Sequence, residues 1–168
     1  MEDVWCTGTI NSKKVLLGCV YRSPDHNNKI ESTQELINTF EHLELSNFDT
    51  ILIAGDFNYP ELKWKNPSEM NMNSPESKFF NCTEELFLQQ LITKPTRHRG
   101  NQTSNILDLL FTNDDIYILN IVHSASIGKS DHETIKVCVN LPKQVLNHED
   151  PKLNFHNNNF EGFKGYKI

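Results

Sequence analysis

The chain has 168 residues, a mass of 19.4 kDa and 37% hydrophobic residues, enough for one substantial core and too little for two. Its 16 Lys and Arg against 22 Asp and Glu give a formal charge of −6 and a pI near 5.6. That balance excludes a protein that coats nucleic acid by bulk charge, while leaving room for a carboxylate-rich, cation-holding site with local basic loops that grip phosphates.

In chain order, residues 4–10 and 14–21 read as two apolar strands around Asn11-Ser12-Lys13, an expected antiparallel hairpin. After the polar loop 23–28, Ile30, Leu36, Ile37, Phe40 and Leu43 follow helical spacing and predict a helix to about Ser46. Ile51-Leu-Ile-Ala-Gly55-Asp56-Phe57-Asn58 is a buried-looking strand that exits through glycine and delivers a carboxylate and a carboxamide two residues apart. If the extended geometry persists, alternation points both the same way. Residues 59–73 read as a polar surface loop beside that strand end. Ser74-Pro75 is an N-cap with Pro at the first helical position, and Phe79, Cys82, Leu86 and Leu91 extend the expected second helix to about Leu91.

The densest basic segment follows, Lys94-Pro95-Thr96-Arg97-His98-Arg99. Strands are then expected over 105–112, 118–124 and 134–140. From residue 142 the composition turns polar, with Asn157-Asn158-Asn159 and no apolar period, which reads as a linker or tail over 142–168 after a domain over 1–141. The element order predicts an α+β architecture of mostly antiparallel sheet with helices outside. Cys6, Cys19, Cys82 and Cys138 show no paired metal spacing and read as buried free thiols of a reducing compartment. No stretch is long enough to span a membrane and Met1-Glu2-Asp3 is acidic, so an intracellular chain, nuclear or cytoplasmic and without a membrane partner, is expected.

Three ordered signals carry the chemistry: Gly55-Asp56-Phe57-Asn58, Leu107-Asp108-Leu109-Leu110, and Ser130-Asp131-His132. Carboxylates bind a hard cation through oxygen, the cation polarises phosphoryl oxygens, and an Asp or His manages the attacking water. A carboxamide positions water or phosphate without adding charge. A His beside a carboxylate stays protonated near neutral pH and stabilises charge developing on phosphorus. Each element alone has a structural alternative: a turn, a satisfied core carboxylate, or the start of a strand.

Together, in this order, the three resemble the endonuclease/exonuclease/phosphatase superfamily, and specifically the apurinic-like endonuclease domains of non-LTR retrotransposons. Val20-Tyr21-Arg22-Ser23-Pro24 is similar to the family's Tyr-Arg-Pro-Pro segment with Ser23 in place of Pro, and Lys94-Pro95-Thr96-Arg97 ahead of the Leu-Asp-Leu strand is typical of the same branch. The tail segments Leu153-Asn154-Phe155 and Asn159-Phe160-Glu161-Gly162-Phe163 look like the connector to a reverse transcriptase.

The resemblance implies a four-layer α/β sandwich, incomplete here, and a DNA-nicking phosphodiesterase that uses Mg²⁺ or Mn²⁺, with DNA as partner and a reverse transcriptase domain downstream in the parent protein. Residue by residue it implies that Asp56 orients or deprotonates water and that Asn58 holds water and phosphate. Asp108 would fix the ring of His132, His132 would contact the scissile phosphate, Asp131 would support the metal, and Tyr21 would reach the phosphate or leaving group. For Tyr21 an edge-strand packing role competes.

DNA contacts are expected at Arg22, Lys94, Arg97, Arg99 and Lys129, with His98 beside them. The family's principal metal-binding Glu lies on strands that would precede residue 1, and Glu2 is in a different context. The expectation is therefore the C-terminal part of such a domain, with weakened metal affinity, an open edge at residues 4–21 and reduced or absent activity. Two alternatives share the motifs: a phosphatase or sphingomyelinase-like esterase, and a non-catalytic remnant.

Overall fold

A computed structural model describes residues 1–24, 28–98 and 104–142. Strands β1 (Glu2–Ile10) and β2 (Lys13–Tyr21) form the expected antiparallel hairpin. Its turn is only Asn11-Ser12, both at positive φ (50° and 68°), the double left-handed geometry that matches strand twist in two-residue hairpins and that Asn tolerates well. Trp5 lies directly opposite Gly18, where a β-carbon would meet the indole at 2.2 Å. The glycine thus lets the indole lie flat on β2 and reach Phe40, 6.2 Å away between ring centroids.

Helix α1 (Lys29–His42) buries Thr33, Leu36, Ile37 and Phe40 and crosses over to β3 (Thr50–Asp56), which pairs in parallel with β2. It stops short of Ser46: Leu43 is extended and a separate 3-10 turn covers Leu45–Asn47. Helix α2 (Pro75–Glu85) begins as its sequence indicates, with Ser74 Oγ accepting from the Ser77 N–H at 3.1 Å. It ends at Glu85 rather than near Leu91. Phe87 adopts φ 54°, its N–H donates to the Glu84 carbonyl, and the Leu88 N–H reaches back to the Thr83 carbonyl at 2.9 Å. This closure pattern normally recruits glycine, so nothing in the apolar spacing of 86–91 announced it. The ring of Phe87 is left 84% exposed, and the chain turns into the two-residue strand β4 (Gln89–Gln90).

Strand β5 (Asp108–Thr112) fits between β3 and β4, giving a five-stranded sheet of order β1-β2-β3-β5-β4. Strands β6 (Ile118–Ser124) and β7 (Thr134–Val139) form a second, antiparallel pair. Among the described residues all strand pairings are antiparallel except β2 with β3.

Both helices cover one face of the large sheet. Leu16, Val20, Ile51, Ile53 and Phe111 enter a core with Phe40, Phe57 and Phe79, whose phenyl rings and that of Phe111 contact one another at centroid distances of 5.4 to 6.4 Å. The loop after β3 is less free than its polar composition suggests. Tyr59 is buried and stacked on Phe79, and Trp64 packs against Phe80 and Phe111.

On the opposite face β1 and β2 are open, with Val4 65%, Leu17 45% and Tyr21 45% exposed. Among the described residues β1 is an outermost strand of the sheet. The thiols do not follow expectation: only Cys82 is buried, whereas Cys6, Cys19 and Cys138 are exposed. An apolar run marks a strand but does not say which of its two faces is covered. No helix among the described residues is long and apolar enough to cross a membrane. Residues 143–168, including the expected linker, lie outside the described residues.

Candidate active site

Strand register assembles the site. Glu2 pairs with Tyr21, Tyr21 with Asp56, and Asp56 with Asp108, so four consecutive strands present these side chains in one row on the face away from the helices. Asp56 is the last residue of β3 and Asp108 the first of β5, which brings two carboxylates side by side at the sheet's end. Gly55 makes the close approach possible. At φ 154° it lies so near β2 that a β-carbon would sit 1.8 Å from the Val20 carbonyl oxygen.

His132 completes the cluster. Its Nδ1 donates to Asp108 Oδ2 at 2.8 Å, which fixes the ring and turns Nε2 toward Asp56 Oδ2, 4.0 Å away. That gap is too long for a direct hydrogen bond and suits an interposed water or phosphate oxygen. One ligand atom from each of Asp56, Asp108 and His132 lies within 4.8 Å of the others. Two carboxylates beside one imidazole are a donor set that fits a divalent cation keeping part of its water shell. Burial, then the charge of Asp108, pushes the Asp56 carboxyl up to about 6 against the lowering effects of His132 and Asn58. Asp56 is thereby a base matched to near-neutral pH.

Asn58 does not continue the strand. It is at φ 51° and 6% exposed, so simple alternation does not place it. Its N–H donates to Asp56 Oδ1 at 3.2 Å and its Nδ2 to the Arg22 carbonyl at 2.7 Å. Arg22 was expected to touch DNA, yet it is 1% exposed. Its guanidinium donates to Ser32 Oγ and to the carbonyls of Phe57 and Asn58 at 3.1, 3.2 and 3.0 Å and lies 4.1 Å from the centroid of the Tyr59 ring. The side chain works inside the fold, because its Nη1 serves both neighbouring carbonyls of a strand-end turn while Nε holds Ser32.

The basic segment is also more structural than its composition suggests. Thr96 is fully buried, and its hydroxyl accepts from the N–H groups of both Leu107 and Asp108 at 3.1 and 3.0 Å. Its carbonyl accepts from the Glu133 N–H at 2.7 Å, and the His98 N–H donates to the Asp131 carbonyl. Arg97 Nε pairs with Asp131 Oδ2 at 2.9 Å. Residues 96–98 therefore tie the start of β5 to the Ser130-Asp131-His132 loop. Sequence reading missed Thr96; the signal, a small hydroxyl residue between Pro and Arg, is not distinctive by itself.

Asp131, expected at the metal, instead has its carboxylate on Arg97, a pairing that holds it below the usual carboxylate range, and it is not part of the converging Asp56, Asp108, His132 set. Glu133 accepts from His123 and His98 at 2.7 and 3.0 Å.

Tyr21 is 45% exposed and next to Asp56 in register. Lys94 and Lys129 are exposed, and Arg99 lies outside the described residues. Beside the cluster, Arg22, Lys29, Asn58, Arg97 and Leu107 line a cavity of about 130 Å³.

Two sheets, with both helices on one face of the larger and the carboxylates at strand ends, define an α+β sandwich of the endonuclease/exonuclease/phosphatase type. The chain belongs to the family described as endonuclease-reverse transcriptase, whose model matches residues 15–136. Among solved structures it is similar to the endonuclease domain of TRAS1, a telomere-specific non-LTR retrotransposon, at 21% identity and a TM-score of 0.61, covering 83% of this chain and 64% of that one. Beta toxin from Staphylococcus aureus (17% identity, 82% and 57% of the two chains) and an endonuclease/exonuclease/phosphatase family protein from Leptotrichia buccalis C-1013-b (14%, 83% and 54%) both match at a TM-score of 0.49, too low to add to the argument. No curated protein sequence matches the chain.

Proposed function

We propose that this chain is a DNA-nicking phosphodiesterase domain of a retrotransposon-derived protein, acting with a divalent cation such as Mg²⁺ and joined in its parent to a reverse transcriptase. The observation that carries this reading is the fixed imidazole of His132, held by Asp108 and facing Asp56 across 4.0 Å. Family membership and the named similarity to a retrotransposon endonuclease supply the substrate class.

A phosphodiester placed in that gap meets His132 Nε2, which when protonated stabilises charge on a non-bridging oxygen. Asp56, with a carboxyl that titrates near 6, accepts a proton from the attacking water, and Asn58 orients that water beside it. Asp108 holds the His132 tautomer. The hydroxyl of Tyr21, one strand over from Asp56, reaches the phosphate or the departing oxygen. When bound at Asp56 and Asp108, a divalent cation supplies Lewis-acid polarisation of the phosphoryl oxygen. Lys94, Lys129 and the Arg97 face of the small cavity supply contacts to flanking phosphates.

The test is conversion of supercoiled plasmid to nicked circle in Mg²⁺, with inositol phosphates and sphingomyelin as competing substrates. Slow nicking is expected, in keeping with the weakened metal affinity anticipated from the sequence, and Asp56→Asn or His132→Ala should lower its rate further, by about 10²- to 10⁴-fold. Ester hydrolysis without nicking, or nicking that survives both substitutions, overturns the proposal.

A further inference from the structure

Asn58 is held at both its backbone and its side chain. At φ 51° it lies in the left-handed region, which Asn enters more readily than other non-glycine residues. Its backbone carbonyl and that of Phe57 both face away from the sheet ladder. The guanidinium of Arg22 bridges these two carbonyls from one side, while the Arg22 carbonyl takes the carboxamide Nδ2 of Asn58 at 2.7 Å. The clamp is reciprocal, the backbone of each residue being gripped by the side chain of the other. Ser32 and the ring of Tyr59 hold the guanidinium in turn, and the Tyr59 hydroxyl is anchored to Thr33 Oγ1 at 2.7 Å. Both carbonyls accept from one nitrogen, Nη1, while Nε serves Ser32 Oγ and Nη2 the Lys29 carbonyl; an ammonium at this position has a single nitrogen and loses part of this set.

The clamp also sets the orientation of the carboxamide. One Nδ2 proton is given to the Arg22 carbonyl, which leaves the second Nδ2 proton and Oδ1 for the site, where Asn58 lines the small cavity beside the cluster. We infer that Arg22 is a positioning residue which fixes the carboxamide of Asn58 beside Asp56, ready to hold the attacking water. The use of that carboxamide rests on the phosphodiesterase reading; the clamp itself does not.

The side-chain amide signals of Asn58 in ¹⁵N-labelled protein test the clamp without any turnover. In the wild type one Nδ2 proton should exchange slowly with solvent. In Arg22→Met, and to a smaller extent in Arg22→Lys, that protection should fall and the amide shifts should move, with thermal unfolding of each variant recorded to show that it is folded. Unchanged Asn58 signals in folded Arg22→Met overturn the inference. On plasmid, the same variants should lose about 100-fold in kcat, the cost of a misplaced group, with KM little changed. A raised KM at constant kcat would instead make Arg22 a direct DNA contact and overturn the positioning role. A wild type that does not nick overturns the phosphodiesterase reading, while the amide signals still decide the clamp.

Discussion

The two faces of the five-stranded sheet are built from the same alternating strands and do opposite things. Toward the helices, Phe40, Phe57, Phe79 and Phe111 are each fully buried and in mutual contact. On the other face the row through Tyr21, Asp56 and Asp108 runs beside exposed Val4 and Leu17. Hydrophobic free energy is concentrated on the first face, and on the second a carboxylate pair raises its own electrostatic cost. Such a division arranges the chemistry on the face without the phenylalanine cluster, although Val15 and Leu110 on that face are also buried.

The strongest way to break this contrast is to remove one of the central phenyl rings. Phe79→Ala should lower unfolding free energy by about 3–5 kcal/mol, read as a shift of the urea midpoint, and a loss below 1 kcal/mol would mean that the closed face is not the stabilising one. Gly55→Ala attacks the seam between the faces. The added methyl meets the Val20 carbonyl, so destabilisation of at least about 1–3 kcal/mol is expected, together with displacement of Asp56 visible as changed His132 imidazole shifts.

Asp56→Asn should act in the opposite direction and raise Tm at pH 7.5. The folded carboxyl titrates at about 6, above its ordinary value of 3.8, so its contribution to stability is full below 3.8 and is lost as pH rises through about 6. The advantage of the Asn variant should therefore grow across that window and vanish at lower pH, and a Tm difference independent of pH would refute the assignment. The smallest effect is expected at Leu17→Thr on the open face, within about 0.5 kcal/mol. A larger loss in calorimetry would show that this face is covered in solution.

How much of this was written in the residues depends on the kind of interaction. The hairpin, both helix starts and the three carboxylate motifs were legible because alternation, an N-cap serine and a glycine exit are local signals. The pairing of Asp56 with Asp108 was only implied by similarity, since antiparallel register between β3 and β5 is a long-range fact. Arg22 was misplaced because a strand-end arginine looks the same whether it faces solvent or bridges two carbonyls. Thr96 went unnoticed for a related reason: its hydroxyl matters only once β5 folds back over it. The end of α2 failed because Phe87 takes a left-handed cap that its chemistry does not advertise.

One consequence of the row across β1, β2, β3 and β5 concerns insertions and deletions. Since neighbouring side chains swap faces at every residue, removing one residue from Leu109–Thr112, or adding one to Leu16–Val20, would turn Asp108 or Tyr21 to the wrong side without altering any site residue. Length within these strands thus decides which side chains reach the cluster. A single in-frame codon would dismantle it with every residue of the row still encoded.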